Sequence, residues 1–271
     1  MDAAERLPLP PLAPGVLRTI HPLWIQQVLI YAALFVVACV LMALDDRTFL
    51  GVSVWLKPAK FSASLMVYFM TLAWCAAFAE LRFLESLPGR MLAWAAVAMA
   101  AGEIVYIFIM AGLAQPSHFN YSSSWTSLAY SLMGVGATIL VGVSLVLGIV
   151  IGWQRRARLG DPLVLSVVLG LVLTFALGGG FGGYLGSQGG HFVGGTGTDA
   201  GGLPMFSWNR FGGDLRVAHF FGMHAMQVIP VFGVLFRNRS RGVLWLLTCT
   251  LAYAGFTAFT FVQAVSGEPL L

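Results

Sequence analysis

Seven side chains able to carry a proton, hold an anion or ligate a metal stand in or beside long apolar stretches of this chain: Lys57, Lys60, Glu103, His118, Arg216, His219 and His224. Glu103 is the one acid deep within such a stretch. Met99, Glu103, Tyr106 and Met110 around it share one helical stripe. An ionisable group in hydrocarbon is costly, so Glu103 either moves protons or anchors a neighbouring helix by a hydrogen bond. A second group lies in the segment that runs from Asp214 to Pro230. At about 100° per residue, Met223 and Gln227 fall within about 20° of Arg216, His219 roughly 60° to one side and His224 roughly 80° to the other. These polar side chains share an arc of about 140°, which must face protein rather than lipid. Asp214 reads as the N-cap of this helix.

His219 and His224 are five residues apart, so an undistorted helix would not present them to one metal ion. A kink or π-bulge near Gly222 and Pro230 would narrow the angle. By depth, Glu103 (roughly 16 Å below the outer end of its helix) could meet His224 (roughly 15 Å below) if their helices are neighbours. Lys57 and Lys60, three apart in WLKPAKF, put two cations at the start of a helix. That position opposes the helix dipole, so they require a partner: Asp45, Asp46, a lipid headgroup or an anionic solute. His118, His191, His219 and His224 fall toward one side and only His21 toward the other. Any site therefore belongs to that side.

The elements that must position these residues are membrane helices. Of the 271 residues, 58% are hydrophobic and 10% charged, whereas soluble domains carry roughly 25% charged residues. Apolar blocks of membrane-spanning length run about 24–44, 61–79, 91–113, 126–152, 162–177, 215–236 and 243–265, the fifth dissolving into glycine. The expected fold is all-α, a bundle of about seven transmembrane helices spanning 23–266 after a cytoplasmic lead-in over 1–22. Placing the N-terminus inside puts Arg6, Arg18, Arg82, Arg90, Arg155, Arg156, Arg158, Arg237, Arg239 and Arg241 on the cytoplasmic side. Only Arg47, Lys57, Lys60, Arg210 and Arg216 then lie outside, which fits the positive-inside rule and an outer C-terminus. Seven of the tryptophans fall near helix ends, as an interfacial belt would place them.

Other classes fit poorly. The basic residues lie in short connections, not on a soluble face, so no nucleic-acid partner is expected. The first apolar block is long, late and without a small-residue cleavage site, unlike a signal peptide. Cys39, Cys75 and Cys249 lie within spans and read as buried thiols. The connection 178–213, rich in glycine, lacks the strand–helix context of a phosphate-binding loop and reads as an outer loop, flexible or re-entrant. Gly148 and Gly152 allow close helix packing, within the chain or in a homo-oligomer.

Two functions compete. One is a polar site in the outer half of the bilayer that handles a small solute or protons, using Glu103, Tyr106, Arg216, His219, His224, Gln227, Lys57 and Lys60. The other is haem or copper held by His118, His219 and His224 near soft methionines. A structural or assembly role is a third. The segments WLKPAKFSASL and GGDLRVAHFFGMHAMQ resemble an uncharacterised class of bacterial polytopic inner-membrane proteins. That resemblance covers these two stretches and implies an inner-membrane location but no activity.

Overall fold

The computed structural model describes residues 22–271. The lead-in, with Arg6, Arg18 and His21, lies outside them. Six helices are long and apolar enough to cross a membrane: α1 (Pro22–Leu44), α2 (Leu56–Ala76), α4 (Leu87–Gly112), α5 (Ser124–Gln154), Pro162–Ser187 and α10 (Gly242–Val265). A seventh is a broken pair, α8 (Arg216–Met223) and α9 (Ala225–Phe236), bent by 46°. A short helix, α3 (Leu81–Glu85), precedes α4. Leu29, Val36, Leu132, Ile149, Leu251, Phe259 and many other apolar side chains are exposed on the outside of the bundle. Water would penalise that surface and hydrocarbon would not, so the protein is membrane-embedded.

The fifth span does not stop where glycine begins. It runs as α6 (Pro162–Leu173), a π-helical turn (Thr174–Gly179) and α7 (Gly180–Ser187). The glycines from 178 to 187 therefore belong to a helix, and close approach explains two of them. A Cβ on Gly178 would sit 2.9 Å from Met223 N, and one on Gly222 would sit 2.5 Å from Gly178 N. Backbone meets backbone there, so α8 can cross the π turn only over glycine.

The α8–α9 break falls at His224, between the two positions read as possible kink sites. Its freed backbone groups are served from neighbouring helices. Thr174 Oγ1 accepts from Met226 N at 2.9 Å, and Tyr253 on α10 donates to Phe221 O at 2.6 Å. A broken helix inside a membrane persists when its loose polar groups are paired in this way.

Gly148 and Gly152 pack within the chain. Cβ atoms there would meet Leu171 and Val168 of α6 at 3.0 and 3.3 Å. These glycines are thus occupied by α6 and are not free for an oligomer contact. Ala93, Ala96 and Ala100 form the thin face of α4 in the main core, with Trp24, Tyr31, Phe69 and Leu147. The tryptophan belt is partial. Trp94, Trp125, Trp153 and Trp245 are exposed, whereas Trp24, Trp55 and Trp208 are buried among other side chains.

Candidate functional site

The chain passes back and forth, so the 45–55, 113–123 and 188–215 connections gather at one end of the bundle with the start of α2 and of α8. They form a packed cap. Strands β1 (Thr48–Phe49) and β2 (Val52–Ser53) make a small hairpin, and β3 (Phe192–Val193) pairs with β4 (Gly213–Asp214). Asp199 N donates to Leu50 O at 3.1 Å, and Arg47 reaches Gly112 O at 2.9 Å. The long loop is therefore built, not loose. Cβ atoms on Gly202, Gly212 and Gly213 would run into Ser207, Gly194 and Ala264 backbone atoms at less than 3 Å.

Arg216 holds that cap together. Its guanidinium binds both oxygens of Asp214, Asp199 Oδ1 at 2.8 Å and Ser207 O at 2.7 Å, and it lies over the Phe192 ring. Asp214 is not the N-cap, a position that falls to Leu215. It is instead buried in β4, accepting from Asn209 N, Arg216 N and the guanidinium. Asp199 was not singled out from the sequence, although it is the one acid between Asp161 and Asp214. Burial alone would raise its pKa, but the nearby His191 ring and the hydrogen bond from the Arg216 guanidinium outweigh this and hold the carboxyl below its ordinary range.

Beneath the cap lies the rest of the cluster. Lys57 stands in the first turn of α2, where Trp55 packs against Phe108 of α4 at 6.1 Å between ring centroids. Its ammonium is within electrostatic reach of Lys60, Glu103, Asp199 and Arg216. Lys60 donates to Phe206 O at 3.0 Å. Asp45 is not their partner, because Arg47 and Trp55 Nε1 both bind it at 2.7 Å. Those bonds hold the Asp45 carboxyl below its ordinary range.

Glu103 is 7% exposed and its Oε1 has no hydrogen-bond partner. It packs toward Gly136 of α5, where an added Cβ would stand 3.6 Å from Oε1, in ordinary contact. Its charge neighbour is Lys57, and no ion pair with His224 forms. Tyr106, one turn along α4, also has a buried hydroxyl without a partner. On the broken span, Gln227 Nε2 donates to Thr71 of α2 at 2.9 Å, and the His224 ring packs on Phe220 at 4.2 Å. Gln227 thus ties α9 to α2.

The histidines are near one another without converging. His219 Nδ1 lies 2.9 Å from Gly178 O and its ring fills the space left by Gly182. His118 packs between Phe61 and Tyr130, 5.6 and 5.8 Å between centroids. Burial holds its pKa well below the ordinary histidine value, and Lys57, His219 and His191 nearby add to that. His191 Nε2 stands 3.6 Å from Asp199 Oδ1. Among the described residues no group of three or more His, Cys, Asp or Glu is placed to hold a metal ion, so His118, His219 and His224 are not brought into one ligand set. A groove of about 480 Å³ lies elsewhere, against Tyr184, Gln188, Phe192 and Val265, and takes in none of the candidate residues.

Residues of α2, α4, α8 and two loops thus lie at or beneath one end of an apolar bundle, while the Gln227–Thr71 bond falls farther along α2. Comparisons with family models, with curated proteins and with solved structures found no match.

Proposed function

We propose that the protein is a multi-pass protein of the bacterial inner membrane which binds a small polar solute or conducts protons through this cluster, with Glu103 as the central group. One observation carries the reading: a carboxyl oxygen buried within a membrane helix has no hydrogen-bond partner, and its charge neighbour is Lys57. Leaving such a group unpaired is expensive, and a purely structural anchor would have paired it with a neighbouring helix. The arginines of the other end of the bundle (Arg82, Arg90, Arg155, Arg156, Arg158, Arg237, Arg239 and Arg241) favour that end as cytoplasmic, which makes the capped cluster outward-facing.

The test is proton movement in proteoliposomes that enclose a pH-sensitive dye, under an imposed pH gradient, with and without a panel of small polar solutes. Wild-type protein should speed the collapse of the gradient or make it respond to a solute. Glu103→Gln, if folded, should lose that effect. Identical traces for the two proteins would remove Glu103 from the pathway.

A further inference from the structure

Lys57 and Glu103, a basic and an acidic side chain, lie within electrostatic reach of each other, yet none of the five ion pairs among the described residues joins them. Each has capacity to spare. Among the described residues the Lys57 ammonium makes no hydrogen bond, and it stands 5.9 Å from the centroid of the Phe61 ring. Glu103 Oε1 accepts from nothing. The surroundings of the two groups differ in character. Around Lys57 are Lys60 and the first turn of α2, where free N–H groups and the helix dipole favour negative charge. Around Glu103 are Met99 and the bare backbone of Gly136, with no cation other than Lys57 in reach.

A lone cation drawn to Glu103 would be repelled by Lys57 and Lys60. A lone anion on the lysines would leave the buried carboxyl unpaired and would face its charge. One ligand satisfies both ends. Resting on the solute reading above, we propose that the site takes a small zwitterion with a primary ammonium at one end and a carboxylate or phosphate at the other. It lies antiparallel to the Lys57–Glu103 charge vector, its anionic group on Lys57 and Lys60 and its ammonium on Glu103. Two head-to-tail ion pairs then replace one separated pair, and the spare donors of Lys57 and the spare acceptor of Glu103 are used. The same chemistry occurs in a free amino acid and in the ethanolamine headgroup of a phospholipid.

Calorimetric titration of the detergent-purified protein with glycine, β-alanine, 4-aminobutyrate, 6-aminohexanoate and phosphoethanolamine scans the separation between the two charges. Butyrate and butylamine serve as single-charge controls. One zwitterion should bind at least roughly tenfold tighter than both controls, a ratio that corresponds to about 1.4 kcal/mol. Glu103→Gln should remove that advantage and, by taking away the repelling carboxylate, leave butyrate bound at least as tightly as before, while Lys57→Gln should weaken both. Butyrate binding as tightly as every zwitterion would overturn the proposal and leave an anion site, so the solute reading would survive. If no soluble probe binds, nanodiscs decide. Glu103-dependent stabilisation by phosphatidylethanolamine over phosphatidylglycerol identifies the ligand as a headgroup, and equal stability in both overturns the proposal. Gradient collapse in proteoliposomes judges the broader reading separately, because it does not require a zwitterion.

Discussion

Arg216 lies on the inward arc that the sequence marks as functional, but its four acceptors make it the clamp of the cap. Removing one partner of such a pair strands the others. Arg216→Met is therefore expected to cost on the order of 2–3 kcal/mol and to open the 188–215 loop to protease, measured by thermal melting and limited proteolysis. The cap should also weaken with acid in two stages. His118 has a folded pKa below its unfolded value of about 6.5, so below that pH the unfolded chain binds a proton that the folded chain refuses, and stability falls. Asp199 is held below its unfolded value of about 3.9, so its stabilisation is present above that pH and is lost as pH falls through the folded value. His118→Phe, which keeps the ring between Phe61 and Tyr130, should flatten the first stage and leave the second, as read from melting temperature against pH.

At the scale of elements, the meeting of the π turn with α8 is the feature least visible in the sequence. The seven apolar blocks are legible from hydropathy, whereas the arc over 216–227 assumes a continuous helix and the structure breaks that helix at His224, burying Val217, Ala218, Gly222, Ala225 and Met226 most deeply. Gly178 to Gly186, by contrast, read as loop, because glycine disfavours helix when propensity alone is considered. Packing overrides that preference: Gly178 and Gly222 are where two backbones touch. Gly178→Ala and Gly222→Ala should each destabilise by about 2 kcal/mol through overpacking. Gly183→Ala, with nothing within 4 Å of the new Cβ, should be neutral or slightly stabilising. Thermal melting of the three variants checks this, and equal effects would mean that the crossing is not as tight as described. Asp214 was misread as a cap for a related reason. Its spacing suits an N-cap, but β3–β4 pairing, invisible in local pattern, draws it into the sheet.

Across the whole molecule, charge is sorted by end. The cluster and its cap occupy one end, and the other carries arginines, with Arg237 paired to Asp161 at 3.0 Å where α6 and α9 meet. Periodicity places residues on a face but does not say which helices are neighbours. Depth alone therefore pairs Glu103 with His224, while the fold sets it beside α5 and Lys57. With the arginine end cytoplasmic, a membrane-impermeant maleimide applied to intact cells should label Ser122→Cys and spare Ala157→Cys. The opposite pattern would invert the topology and turn the cluster inward.

Glu103, as a group that meets a ligand, stands at the centre of the proposed site. Its most direct test is a thermal-shift screen of purified wild type and Glu103→Gln against the same panel of small polar solutes. At least one solute should raise the wild-type melting temperature and fail to raise that of a folded Glu103→Gln. If the two proteins respond alike to every solute, Glu103 does not meet a solute and the ligand-binding reading is contradicted.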